Sequence, residues 1–185
     1  SDLQVVPAET SPVTHVTAYL SKRFHSISPR ISTVEVGCFW LEPFSPTDDE
    51  EAGFVSQAFG LLRDEGFDDA RMGVADTVVA SNAASRLVGA YEWMSVSAGG
   101  DASFLAPLPL AYLPIGDRLR ALLDDVGIRS IRELQSFSNE SIQRRFGPAG
   151  LRAWTLAWAN DPRGPRTPNE TTARTLRVSL MEPTT

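Results

Sequence analysis

The sequence predicts an α+β fold: a mixed or antiparallel sheet with two or three helices, followed by a small all-helical domain. Three observations carry that reading. Through residue 98, runs rich in β-branched and aromatic residues alternate with runs of helical apolar periodicity. From 102 to 165 only helical periodicity recurs, in two helix-turn-helix-like units that each open on a glycine and proline turn. Between them lies Ala98-Gly99-Gly100-Asp101, the one flexible, linker-like stretch. The expected divisions are therefore 1–98, 102–165, and a linker with one strand over 166–185.

Leu3 to Pro7 is a short β-like run, and Ser11-Pro12 sets an N-cap with proline in the first turn. A helix follows through Val13, Val16, Tyr19, Leu20 and Phe24 and stops before Ser28-Pro29. Ile31 to Glu42 reads as a strand, or as a hairpin bent at Gly37. Phe44 to Thr47 is a turn, with Thr47 and Glu50 forming a capping box. The acidic run Asp48 to Glu51 then complements the helix dipole, a fuller account of it than a metal site, since consecutive helical residues point in different directions. Phe54, Ala58, Phe59, Leu61 and Leu62 form that helix's buried stripe, and Gly66 ends it. Ala70–Ala75 and Tyr91–Val96 read as short strands around a helix from Thr77 to Val88, whose small residues Ala80, Ala83 and Ala84 permit close packing on a sheet.

In the last third, Leu113-Pro114-Ile115-Gly116 precedes an apolar-periodic helix, then Gly127-Ile128 and a second helix from Ser130 to Phe137. Arg145-Phe146-Gly147-Pro148-Ala149-Gly150 precedes a helix carrying Leu151, Trp154, Leu156 and Trp158, which ends near Asn160-Asp161-Pro162. Arg174 to Met181 alternates like a strand.

Composition bounds the function. The 185 residues are 42% hydrophobic and 22% charged, ordinary for a globular protein, with no apolar run long enough to span a bilayer and no signal-peptide start, so a cytoplasmic location is expected. One cysteine, Cys38, excludes an internal disulfide, and with only His15 and His25 to join it a zinc site is implausible. Cys38 reads as a buried thiol among Phe39, Trp40 and Leu41, and neither histidine is assigned a catalytic role. The net charge of −6 is unevenly spread: residues 1–106 carry 6 Lys+Arg against 15 Asp+Glu, and residues 107–185 carry 11 against 8. Only the second half has the sign that counterion release from nucleic acid rewards, and its modest surplus predicts weak, salt-sensitive binding.

The two turns give that charge a place to act. The first amides of a helix lack intrahelical acceptors and, with the helix dipole, can hold a phosphate without reading bases. The candidate contacts are Ile115, Gly116 and Arg118 at the first turn, and Arg144, Arg145, Gly147, Ala149 and Gly150 at the second. Pro114 has no amide hydrogen, so the first turn is expected to grip more weakly. The alternative is that both turns merely connect packed helices. Trp154 and Trp158, four residues apart, read as core rather than as a base-stacking platform.

The order strand, helix, strand, helix, strand and then a helical domain with two phosphate-gripping turns resembles the palm and thumb of a Y-family translesion DNA polymerase, almost end to end. Asp2 to Pro7 resembles the segment leaving the fingers, Met72-Gly73-Val74-Ala75 the strand before the helix under the nucleotide, and Phe104 to Pro109 the entry to the thumb. Arg145 to Gly150, with Trp154 and Leu156, resembles the second thumb turn. Thr175 to Glu182 resembles the first little-finger strand, so the chain reads as a fragment without first palm strand or fingers.

Departures from the family pattern are informative. The resemblance implies a carboxylate pair for two metal ions where this chain has Gly37-Cys38, and basic residues near Val78 and Asn82, which are uncharged. The metal site is thus degenerate at Gly37 and Cys38. No cofactor is expected, Mg²⁺ entering only if Glu35 or Glu42 substitutes for the lost ligands. The combination most resembles the ImuB type, catalytically inactive paralogues in bacterial DNA-damage-induced mutagenesis. That resemblance implies an adaptor that contacts primer-template DNA and bridges the sliding clamp, a RecA-like accessory protein and an error-prone C-family polymerase. An active translesion polymerase and a pure protein scaffold are the competing readings.

Overall fold

A computed structural model describes residues 12–35, 37–43 and 48–163. The expected run at Leu3–Pro7, the Ser11 cap, the Phe44–Thr47 turn and everything from 164 onward lie outside those residues. By backbone proximity the described residues form two compact units that divide between Leu61 and Leu62.

In the first unit, α1 (Pro12–Phe24) begins with proline, whose fixed φ suits a first turn, and buries Thr17, Leu20 and Phe24. Strands β1 (Arg30–Glu35) and β2 (Cys38–Glu42) form an antiparallel hairpin, with Arg30 opposite Glu42 and Glu35 opposite Cys38. Gly37 carries the bend at φ 71°, a region that costs glycine least. Phe24 and Phe39 pack with ring centroids 5.2 Å apart, tying α1 to β2. The fully buried Ser28 hydroxyl accepts the Glu42 amide at 3.0 Å and has the Arg30 and Glu42 carbonyls within 2.8 Å for its single proton. Helix α2 (Asp48–Asp64), of which residues through Leu61 belong to this unit, buries Val55, Ala58 and Phe59, and Gly66 follows it at φ 81°.

In the second unit, β3 (Met72–Val74) and β4 (Trp93–Ser95) pair in parallel around α3 (Val78–Ser85). The expected mixed or antiparallel sheet is instead, among the described residues, two separate two-stranded sheets, one antiparallel and one parallel. The parallel pairing follows from the crossover: a helix between strands returns the chain in the same direction. Helices α4 (Asp101–Leu105), α5 (Asp117–Asp125), α6 (Ile131–Gln135) and α7 (Asn139–Ala157) complete the unit. One apolar core joins Val79, Ala80 and Ala83 of α3 to Leu105, Leu110, Leu113, Leu123, Ile131, Leu134, Ile142 and Ala153. Each such fully buried leucine or isoleucine contributes about 1.5–3 kcal/mol of transfer free energy.

The stretch Ala98–Asp101 is pinned rather than a flexible linker. The Asp101 carboxylate, 4% exposed, accepts from the Thr77 amide at 2.8 Å and from the Thr77 hydroxyl, and Asp76 accepts from the Gly99 amide at 2.6 Å. These bonds join the chain just beyond β3 to the chain just beyond β4, and α4, absent from the sequence reading, starts at Asp101 itself. Arg86 lies over the Tyr112 ring at 4.6 Å and donates to the Ala111 carbonyl, while Gln135 donates to the Ala102 and Ala157 carbonyls, cross-linking α6 to α4 and α7.

Helix α6 is too short to persist on propensity alone. It is held by a complete capping box: Ser130 Oγ accepts from the Glu133 amide, and Glu133 Oε2 accepts from the Ser130 and Arg129 amides at 2.8 and 2.7 Å. Those two backbone donors hold the Glu133 carboxyl below its ordinary value of 4.5. Its folded-state pKa being depressed, the stabilisation is complete above about pH 4.5 and is lost as pH falls through the folded value. The wild-type unfolding midpoint should therefore fall more steeply on acidification below pH 4.5 than that of Glu133→Gln, measured by circular dichroism on matched samples. Parallel pH profiles for the two proteins would contradict the linkage.

Candidate nucleic-acid interface

The second turn is a helix break. Ser138 caps α7 and accepts from the Ser141 amide at 3.2 Å. The helix runs to Phe146, and Gly147 then takes φ 65°, ψ −159°, a conformation essentially confined to glycine. Pro148 opens a new helical segment, where its missing amide costs least. Ala149, exposed, and Gly150, buried, are then the first residues of that segment with an amide hydrogen. A Cβ on Gly150 would lie 2.4 Å from the Phe146 Cβ and 3.2 Å from Ile142 Cγ2, so close packing requires glycine at 150, as the positive φ does at 147. Arg144, Arg145 and Arg152 are exposed, and among the described residues none is engaged in an ion pair. Residues 141–160 hold these three arginines and no acid.

The first turn is built differently. The Ile115 amide donates to the Leu113 carbonyl at 2.8 Å, so it is already spent. Gly116 is the exposed N-cap of α5, its carbonyl accepting from the Arg120 amide, and Arg118 is exposed within the first turn. Asp117 stands in the first turn with its side chain 94% exposed and paired to Arg120 at 2.7 Å. Arg120 also donates to the Ile115 carbonyl at 3.1 Å, clamping the carboxylate to the loop. Sequence reasoning passed over Asp117, although an acidic residue immediately after an N-cap glycine is a readable dipole signal.

Trp154 is half-buried and donates its indole N–H to the Phe137 carbonyl at 2.8 Å. Trp158, expected in the core, is 47% exposed, because it falls at the C-cap of α7, beyond the last turn that faces the core. His15 and His25 are exposed on and just after α1.

At the hairpin, Gly37 is exposed and Cys38 half-buried at the start of β2. Glu42 forms an ion pair with Arg30 across the hairpin's far end, and Glu35 lies at the opposite end of the ladder, across from Cys38. Among the described residues no three His, Cys, Asp or Glu side chains converge as metal ligands would. In the second unit, Val78 at the start of α3 is 6% exposed, an apolar contact within the protein rather than a free surface group. Asn82, half-buried, passes its carbonyl to the Ser85 hydroxyl. Among the described residues no helix is long and apolar enough to cross a membrane.

No family model matches the chain. Over 94 residues, half of this chain, it is 32% identical to DNA polymerase IV 2 of Mesorhizobium japonicum, of which the match covers 23%. Its fold is similar to that of DinB from Sulfolobus solfataricus, with a TM-score of 0.64 over 79% of this chain and 44% of that one, at 15% identity. A DinB-family error-prone DNA polymerase from the same organism aligns with a TM-score of 0.69 over 88% of this chain and 50% of that one, again at 15% identity. A Dbh ternary complex, its substrates partially disordered, aligns at 0.65 over 81% and 46%, also at 15% identity. The chain thus spans about a quarter of the curated relative and up to half of each solved chain. Half of the chain is similar in sequence to a DNA polymerase IV, and its fold is similar to that of DinB-type DNA polymerases.

Proposed function

We propose that this chain is the palm and thumb portion of a non-catalytic Y-family polymerase-like adaptor in bacterial DNA-damage-induced translesion synthesis. Residues 1–98 correspond to the palm, 102–165 to the thumb, and 166–185 to a linker and the first little-finger strand. The observation that carries the reading is the pair Gly37-Cys38. One residue has no side chain and turns the hairpin, and the other offers a thiol where Mg²⁺ takes oxygen ligands in octahedral geometry. These residues do not fit the metal. Val78, at a position where the family resemblance implies positive charge, is apolar and buried, and Glu42 is paired to Arg30, which support the same conclusion.

The thumb contacts primer-template DNA through backbone phosphates around Gly147, where uncompensated arginines flank a helix start. The sliding clamp, a RecA-like accessory protein and an error-prone C-family polymerase are the partners the family resemblance implies. The acidic balance of residues 1–106 suits this scaffold role, since it repels DNA and steers basic surfaces toward the palm.

The test is primer extension by the protein at millimolar Mg²⁺ or Mn²⁺, beside an active DinB-type polymerase. No extension is expected. Metal-dependent extension that is abolished by Glu35→Gln or Glu42→Gln would establish the enzymatic alternative instead.

A further inference from the structure

Resting on the DNA-backbone reading above, we propose that Asp117 denies the first turn to phosphate, so that the chain holds nucleic acid through the second turn alone. Each turn holds a proline without an amide hydrogen, and they differ in how the next donors are used and in the acid beside them. At the first, Pro114 has no amide hydrogen and the Ile115 amide is bound to the Leu113 carbonyl, which leaves the loop without its leading donors. The α5 dipole is answered from within the chain by the Asp117 carboxylate, held in place by Arg120, whose other terminal nitrogen is tied to the Ile115 carbonyl. A phosphate approaching Gly116 would meet a fixed negative charge that is almost wholly in solvent. Of the two arginines at this turn, Arg120 is committed to that charge, and Arg118 is exposed immediately beside it.

Charge along the sequence repeats the contrast. Residues 113–132 hold four arginines and three aspartates, two of which pair with Arg120 and Arg129, whereas residues 141–160 hold three arginines and no acid. A duplex gripped at both turns would be held by two stretches of backbone. The Gly147 turn has cations with no acid among residues 141–160, whereas the first turn carries Asp117, which makes Asp117 a determinant of where the backbone is held.

The experiment is fluorescence-anisotropy titration of a labelled primer-template with the full chain at low salt, on variants whose unfolding midpoints match the wild type. Asp117→Asn should tighten binding about two- to fivefold, the range of a single charge acting at a helix terminus. Asp125→Asn, the same charge change at the exposed far end of α5 and about 12 Å from the turn along the helix, should give a clearly smaller gain, since Coulomb attraction falls with distance and a charge acts on the dipole only within the first turn. The gain from Asp117→Asn should persist in an Arg120→Gln background, showing that it arises at the turn and not from a liberated guanidinium. No gain with Asp117→Asn, an equal gain with Asp125→Asn, or a gain lost in the Arg120→Gln background would each overturn the inference. Those results would leave the DNA reading intact provided that reversal of Arg144 and Arg145 still weakens binding. If that reversal has no effect, the DNA reading itself falls and this inference falls with it.

Discussion

Replacing Gly73 with alanine is expected to destabilise the second unit by about 3 kcal/mol or more, and with valine to abolish its folding. Strand β3 runs against α3 so closely that a Cβ at residue 73 would lie 2.0 Å from the Ser81 carbonyl oxygen, 2.7 Å from the Ser85 amide nitrogen and 2.8 Å from the Ala84 Cβ. Two of those three neighbours are helix backbone, which cannot rotate aside as a long side chain could. The approach is possible because α3 presents Ala80, Ala83 and Ala84, all fully buried, and because Gly73 has nothing to place between them. Moving the strand outward would open the core where Val79 and Ala83 meet the helices. Urea unfolding followed by circular dichroism measures the effect directly. A Gly73→Ala midpoint within error of the wild type would show that β3 does not lie on α3 at this distance.

The second large effect is on binding. Reversing both Arg144 and Arg145 to glutamate should weaken primer-template binding about ten- to a hundredfold at low salt, and should flatten the dependence of log affinity on log salt by about two units. The reasoning is that each phosphate contact releases counterions, so its removal lowers both affinity and salt slope. Both arginines are exposed and unpaired among the described residues, so their reversal breaks no ion pair described here and should leave the unfolding midpoint nearly unchanged. Affinity and slope within error of the wild type would favour a scaffold with no DNA role, with the Gly147 turn serving only to connect packed helices.

How much could be read from the chain differs by kind of feature. The helix through Phe24, the hairpin bent at Gly37, the helix ended by Gly66 and the helices after Gly116 and Ser130 all follow from local signals: apolar spacing, a cap residue, a glycine where φ turns positive. Three features were not legible for a common reason. Ala98–Asp101 has the composition of a linker, yet Asp101 is anchored by Thr77, 24 residues away in sequence. The pairing of β3 with β4, and the resulting separation into two small sheets, depends on partners that no local pattern names. Trp154 and Trp158 look equivalent at four-residue spacing, but the helix ends between their environments, so one is half-buried and the other exposed.

The candidate site divides along the same line. Residue identities alone established that positions 37 and 38 offer no carboxylate, that Pro114 contributes no donor, and that three arginines surround Gly147 without an acid among residues 141–160. These are properties of side chains and of the imide nitrogen, independent of any neighbour. Only the folded arrangement decided that the Ile115 amide is consumed by Leu113, that Arg120 fastens Asp117 over the first turn, and that Gly73 touches the backbone of α3. Donor satisfaction, ion pairing and close approach are relations between groups, and their outcome depends on which of several available partners packing brings within a few ångströms.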